Sequence, residues 1–313
     1  MIQQHPIGRR KLFKFLGASA GLAMLPDFVK ASTSYPANKN FRYLMNTATI
    51  RAHKLGMVKE LEIIAKAGYD GVEIWMDTLQ EYVDKGGKLN DLRSRIADLG
   101  ITVENAIGFA EWIVDDEGRR KKGIEQLKKE MDQLAAIGCK RTAAPPAGAV
   151  EKPGLDLRKA AERYHTILEL GKHTGVVPHL ELWGFSANLN KLSDVLFVAV
   201  ESGHPDAKVL LDNYHFYKGG SHPGSLQFLN PASTEIFHVN DYPNIPRNTI
   251  KDEDRVMPGD GISPLKDILK MLKNEQKPLN LSLEIFNKKY YAMDAAEVAR
   301  IGIEKMKKAT EEV

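Results

Sequence analysis

Four residues stand out in the sequence because they are polar where everything around them is apolar. They are Glu181 in His179-Leu180-Glu181-Leu182-Trp183 and Asp212 in Leu210-Leu211-Asp212-Asn213-Tyr214, with His238 in Phe237-His238-Val239-Asn240 and Glu284 in Leu281-Ser282-Leu283-Glu284-Ile285-Phe286. Each lies within a short run that reads as a β-strand. An ionised carboxylate buried in such a run costs several kcal/mol unless a partner or a metal compensates it. Three carboxylates and an imidazole collected at one place would repel one another without a cation. The set suits a hard-to-borderline divalent ion: Mn²⁺ first, with Co²⁺, Mg²⁺ or Zn²⁺ as alternatives. The competing reading is four separately satisfied buried polar groups, which four in register on adjacent strands disfavour.

The elements that must position them alternate along the chain. Strands are expected at Arg42–Asn46, Gly71–Trp75, Thr102–Ile107, Arg141–Ala144, Val176–Leu182, Lys208–Asp212, Ile236–Asn240 and Asn280–Ile285. Between them run segments with helical spacing of apolar residues, around Leu61–Ala67 and over Leu89–Leu99, Gly123–Ile137, Leu157–Lys172, Leu189–Val200 and Leu265–Leu272, with a last helix at Ala295–Met306. The sixth connection, Ser221 to Ser233, is rich in Pro and Gly and predicts only a short helix. Gly68, Gly100, Gly138, Gly175 and Gly203 fall where helices must stop. Eight strand–helix units in about 280 residues predict one α/β domain, a (β/α)8 TIM barrel. A doubly wound sheet would carry a Gly-rich phosphate turn after its first strand, and here Met45-Asn46-Thr47-Ala48-Thr49 follows. In a barrel the C-terminal strand ends form the active face, where the four ligands fall.

Other residues have two readings. Trp75, Trp112 and Trp183 lie at or just past strand ends, to stack on the apolar face of a sugar ring or to cap the core; Trp112 and Trp183 are expected to touch substrate. Glu73 on the second strand is expected to bind a substrate hydroxyl, with a buried lysine partner as the alternative. His179 shares a strand face with Glu181 and belongs to the barrel interior. Asp241 is placed to accept a hydrogen bond from a ligand imidazole.

Taken together these residues resemble the xylose-isomerase-like barrel superfamily, which groups ketose 3-epimerases, inosose isomerases and dehydratases, and abasic-site (AP) endonucleases. The resemblance covers nearly all of the chain after the N-terminal segment. Ala67-Gly68-Tyr69-Asp70-Gly71-Val72-Glu73-Ile74-Trp75 is similar to the family's second strand, and Arg255-Val256-Met257-Pro258-Gly259-Asp260-Gly261 to its Arg-x-x-Pro-Gly-x-Gly segment. The resemblance implies that Arg255 and His215 hold substrate oxygens. It also implies that Glu181 and Glu284, besides binding metal, are the catalytic pair that exchanges a substrate proton. The activity implied is that of a metal-dependent sugar, keto-sugar or inosose isomerase or epimerase, working by proton transfer through an enediolate. A lyase, dehydratase or hydratase on 3-keto-sugars or inosose would use the same site, and a non-catalytic carbohydrate-binding subunit is a reading from another class. The sequence departs from the epimerases at Ala187, where they carry a glutamate. It departs from the abasic endonucleases at Asp254-Arg255-Val256, which lacks their histidine.

The N-terminus predicts export. Gly8-Arg9-Arg10-Lys11-Leu12-Phe13-Lys14, an apolar run from Phe15 to Leu25 and Val29-Lys30-Ala31 have the order of a twin-arginine signal over residues 1–31, followed by a linker at 32–40 and the barrel from 41 to 313. The apolar run is too short and too rich in Gly, Ala and Ser to span a bilayer. Periplasmic or exported placement is therefore expected, with no stable membrane span. That segment holds five basic residues and one acidic one, so the formal charge of +3 for the whole chain becomes −1 for the remainder. A body so close to neutral gives no footprint for nucleic acid. The expected partner is a small carbohydrate or cyclitol, with a homodimer left open. The single cysteine, Cys139, reads as a buried structural thiol.

Overall fold

The structure is a computed structural model describing residues 38–313; the signal assigned to residues 1–31 and most of the linker at 32–40 lie outside the described residues. Eight parallel strands follow in order: β1 (Phe41–Asn46), β2 (Gly71–Trp75), β3 (Thr102–Ile107), β4 (Arg141–Ala144), β5 (Val177–Glu181), β6 (Val209–Asp212), β7 (Ile236–Val239) and β8 (Leu279–Leu283). The helices are α1 (Met57–Ala67), α2 (Met76–Asp84), α3 (Leu89–Asp98), α4 (Glu117–Ala136), α5 (Leu157–Thr174), α6 (Leu192–Glu201), α7 (Asn213–Gly219), α8 (Leu265–Leu272), α9 (Lys288–Tyr291) and α10 (Ala295–Thr310). The strand row runs β3-β2-β1-β8-β7-β6-β5-β4, a nearly closed TIM barrel.

Among the described residues no ladder joins β3 to β4, and side chains bridge that seam. Arg141 donates to the Glu104 carboxylate at 2.8 Å and to its carbonyl at 3.3 Å, and Thr142 Oγ1 donates to the Ala106 carbonyl at 3.3 Å. Arg141 also reaches Glu235 at 2.6 Å, so its buried charge is shared between two carboxylates.

Apolar side chains pack between strands and helices, among them Leu61, Ile64, Val72, Leu180 and Leu211. A smaller cluster of Ile107, Ala143, Leu210 and Ile236 fills the barrel interior. Cys139 is in the outer layer, and burial pushes its thiol up to about 12, which suits a structural role. The five glycines expected to end helices all adopt positive φ. Asp116, Asp156 and Asp294 cap α4, α5 and α10 with side-chain bonds to first-turn N–H groups.

Two of the differences from the sequence reading lie next to the strands that carry the site. Helix α2 follows β2 directly, because Met76 and Leu79 give it a short buried stripe that the longer pattern of α3 masks. Helix α7 starts at the end of β6 with Asp212 as its cap, accepting from the His215 N–H at 2.8 Å. The Pro/Gly-rich stretch beyond it forms only 3-10 turns, Pro223–Phe228 and Pro231–Ser233. No helix among the described residues is long and apolar enough to cross a membrane.

Candidate active site

Glu181, Asp212, His238 and Glu284 converge at the C-terminal end of the barrel, as their strand positions require. Donor atoms of Asp212, His238 and Glu284 lie within 4.8 Å of one another. His238 Nδ1 is 3.3 Å from Glu284 Oε2, 3.6 Å from Asp212 Oδ2 and 3.9 Å from Glu181 Oε1. Donors held at about 2.1 Å around one ion stand roughly 3–3.5 Å apart, so the cluster fits a divalent cation, with Glu181 slightly withdrawn. His238 Nδ1 and Glu181 Oε2 are buried with no hydrogen-bond partner, the condition of atoms that a metal would complete.

The electrostatics agree. Burial pushes Glu181 up to about 8, with Glu284 and Glu73 adding to the rise. Burial alone would lower His238, yet Glu73 and Glu284 outweigh it and hold the imidazole well above the usual histidine range. Burial likewise opposes ionisation of Asp212, but Arg255 and His215 hold it well below the usual carboxylate range. Protons thus occupy a site built for positive charge.

A fourth carboxylate orients the histidine. Glu73 is fully buried and sits 3.0 Å from His238 Nε2. It also accepts from Asn46 Nδ2 at 2.8 Å, Asn105 Nδ2 at 2.6 Å and Ser282 Oγ at 2.7 Å. A register shift between Val72 and Glu73 in the pairing with β3 brings Glu73 opposite Asn105. With Nε2 donating to Glu73, Nδ1 once deprotonated presents its lone pair to the space among Glu181, Asp212 and Glu284, where a cation would sit. Asn46 links this layer to the site, donating to Glu284 Oε1 at 3.0 Å and accepting from Trp75 Nε1 at 2.8 Å.

Arg255 arrives on the loop after β7. That loop is pinned by Asp241, which forms an antiparallel bridge with Val256 and accepts from the N–H groups of Tyr242, Gly259 and Ser263. A Cβ at Gly261 would lie 2.2 Å from the Tyr242 carbonyl and 2.3 Å from Asp241 Oδ1, so only glycine allows this approach. The buried guanidinium donates to Asp212 at 2.9 Å, Glu284 at 2.8 Å and Asp252 at 2.5 Å, and lies over Tyr214 and Phe286. It approaches His215 Nε2 at 3.2 Å, which leaves the proton on a buried, unpartnered Nδ1. Burial keeps that imidazole below the usual range, hence neutral.

Above the cluster opens a cavity of about 170 Å³. Glu181, Glu284, His215 and Arg255 face it under walls of Trp75, Phe109, Trp183, Phe185 and Phe286, whereas Asp212 and His238 do not.

A model of the xylose isomerase-like TIM barrel family matches residues 61–309. The chain belongs to the xylose isomerase-like TIM barrel family. An inosose isomerase of Halalkalibacterium halodurans is 30% identical over 253 residues, 78% of this chain and 88% of that one. A 3-dehydroshikimate dehydratase of Pseudomonas putida is 24% identical over 78% of this chain but only 38% of its own length. A crystal structure of the IolI protein with a bound zinc atom is similar with a TM-score of 0.79 at 25% identity, covering 87% of this chain and 99% of that one.

Within this xylose isomerase-like barrel three expected residues have different places. Trp112 is not at the mouth: it is 1% exposed, packs on Tyr164, and its indole N–H donates to the Pro145 carbonyl at 2.9 Å. The loop after β3 turns outward there, so Phe109 faces the cavity instead. Glu73 lies beneath the site and touches neither the cavity nor a lysine. Asp241 anchors the Arg255 loop and leaves the imidazole to Glu73. Trp183 does line the cavity, and His179 is a buried interior group that desolvation and Arg141 hold neutral, down to about 3. Reading the sequence alone missed Asn46, Asn105 and Ser282; their only signal was a polar residue inside a buried strand.

Metal uptake should be strongly pH-dependent. Below their raised values Glu181 and His238 carry protons that a cation must displace, so affinity falls as pH falls. The apparent Kd should rise by about tenfold or more between pH 8 and pH 7. Chelator competition across pH 6–9 measures it, and a flat profile would mean that neither group is a ligand.

Proposed function

We propose that this chain is a divalent-metal-dependent isomerase or epimerase of keto-sugars or inososes. One observation carries the reading: of the four clustered donors, the two facing the cavity are both glutamates, Glu181 and Glu284. Two carboxylates beside one substrate can remove a proton from the carbon next to a carbonyl and return it at the other face or at the neighbouring carbon. A bound divalent ion, Mn²⁺ by preference for this donor set, supplies the Lewis acid that polarises the carbonyl. His215 offers its Nδ1–H to a substrate oxygen, and Arg255 adds a fixed positive charge where an enediolate would gather negative charge. The apolar walls hold the ring and exclude water. The zinc in the IolI structure and the inosose isomerase likeness support both metal and substrate class.

A second reading keeps the site and changes the outcome. If the enediolate expels a β-hydroxyl as water, the enzyme is a dehydratase, and the likeness to the dehydroshikimate enzyme favours that route. Ala187 bears on the choice. Its N–H is tied to the Val150 carbonyl at 2.8 Å, and its side chain does not line the cavity, so it offers a free ketose no hydrogen bond. The experiment is incubation of the metal-loaded protein with ketoses, inososes and 3-keto-glycosides in heavy water. Deuterium at one carbon reports isomerisation or epimerisation, and an absorbing enone reports elimination. Cyclic substrates should exceed fructose, tagatose and psicose in kcat/KM; efficient free-ketose epimerisation would restore a plain epimerase. Metal retention near one ion per chain with no exchange on any substrate would favour a binding subunit.

Export by the twin-arginine route to the periplasm is part of the same proposal. Arg9→Lys with Arg10→Lys should hold the protein in the cytoplasm, as cell fractionation reads. Continued export of that variant would assign the signal to the general secretory route.

A further inference from the structure

The cavity over the two glutamates is small. Its volume of about 170 Å³ lies below the roughly 300–1,000 Å³ of clefts that take drug-sized ligands, and suits one ring. Beside it, across a wall shared through Ile107 and Phe109, lies a second cavity of about 330 Å³ between α2 and α4. The larger of these two adjoining spaces is therefore not the one that holds the acid–base groups.

The second cavity is apolar over most of its surface, but its rim of helix side chains carries polar groups of a particular kind. Gln80 and Asp77 come from α2, and Gln126, Lys129, Glu130 and Gln133 from α4. Three carboxamides with two carboxylates and an ammonium offer both donors and acceptors, as adjacent hydroxyls require. Two of these acceptors, Glu130 Oε2 and Gln133 Oε1, are buried with no hydrogen-bond partner. Gln126 holds only the other Glu130 oxygen, at 2.8 Å. A Cβ at Gly108 would come within 2.8 Å of Glu130 Oε2, so glycine there lets the free oxygen lie against the junction of the two cavities. At that junction the Phe109 ring, 43% exposed, packs edge-on to Trp75 at 5.3 Å and tilted to Trp183 at 6.0 Å. An exposed ring so placed can carry the apolar face of a sugar.

We propose that the substrate is a two-ring glycoside: its keto ring sits over Glu181 and Glu284, its linking oxygen crosses Phe109, and its second sugar occupies the cavity between α2 and α4. This rests on the carbohydrate reading above and narrows it. The oxygens of Glu130 and Gln133 are covered as they stand, and rotation of the two side chains toward the cavity turns them onto hydroxyls of the second ring, beside the exposed carboxamide of Gln126. A lone inosose or hexose fills the first cavity and leaves the second to water.

The test compares a 3-keto-disaccharide, the matching methyl 3-keto-glycoside and the matching phenyl 3-keto-glycoside, by deuterium incorporation and by equilibrium binding through Trp75 and Trp183 fluorescence. The disaccharide should lead the methyl glycoside by about tenfold in kcat/KM and in Kd, mainly through KM. Gln126→Ala, on an exposed position, and Glu130→Ala should each erode that ratio, with kcat for the disaccharide retained. Equal binding of disaccharide and methyl glycoside overturns the proposal, and so does a phenyl glycoside that binds as well as the disaccharide with neither preference moved by the variants. The second result would seat the added group on the Trp183–Phe185 wall. If no keto-sugar exchanges deuterium, the carbohydrate reaction fails, and the binding ratio for the same compounds still decides the second cavity.

Discussion

Glu284→Gln should lower substrate proton exchange by at least about a hundredfold while the melting temperature stays close to that of the parent. Glu284 lies just past the end of β8 and faces the cavity, and without its charge the buried Arg255 guanidinium still keeps Asp212 and Asp252, so the fold is retained. Its two oxygens hold different partners: Oε1 accepts from Asn46 at 3.0 Å, and Oε2 accepts from Arg255 at 2.8 Å. Glutamine keeps the shape but cannot take a proton, and its amide must turn an N–H₂ toward one of those two donors. Loss of base and loss of ligand are separable by measuring bound metal alongside turnover. Retained metal with lost exchange identifies Glu284 as the base; loss of both identifies it first as a ligand. Near-normal turnover would remove this residue from the mechanism.

The second large effect should come from a residue that touches neither substrate nor metal. Glu73→Gln should weaken metal binding by about 10- to 100-fold while turnover at saturating metal stays near that of the parent. Glu73 accepts from Asn46, Asn105, Ser282 and the His238 ring on two oxygens. An amide can accept on only one side, so at least one of those donors faces another donor. The imidazole then loses the negative neighbour that fixes its tautomer and raises its basicity, and Nδ1 becomes a poorer ligand. Competition with a fluorescent chelator reads the affinity, and a metal-concentration series separates it from turnover. An unchanged affinity with lowered thermal stability would reduce Glu73 to a structural role.

Much of the site was legible because barrel strands obey local rules. A buried strand must be apolar, so Glu181, Asp212, His238 and Glu284 stood out by type alone. A parallel αβ repeat puts every strand's C-terminal end on the same rim, so their order along the chain placed them together. The glycines that stop helices are equally local, because left-handed φ is a property of one residue. β2, β3 and β4 were recovered to the residue, since each follows such a glycine, and α8 was recovered from the spacing of Leu265, Ile268, Leu269 and Leu272.

Which polar residue meets which across the interior depends on register, and register is a tertiary quantity. Glu73 and His238 are 165 residues apart, and their contact rests on the stagger of strands around the barrel, while the extra residue Glu104 in β3 brings Asn105 to the same carboxylate. Nothing near His238 in sequence announces it; Asp241 was the nearer carboxylate and pins the loop after β7 instead. Trp112 and Phe109 sit three residues apart after β3, and only the path of that loop sends one into the core and the other to the mouth. The second cavity likewise arises where α2 packs beside α4, two helices joined by no local pattern. The sequence by itself determined the barrel, the rim where its polar strand ends meet and the types of its candidate metal ligands, since each follows from burial and backbone preference within a few residues. The tertiary structure alone decided the histidine's partner, the aromatic wall and the shape of the substrate space, because those depend on how strands and loops are offset around a closed sheet.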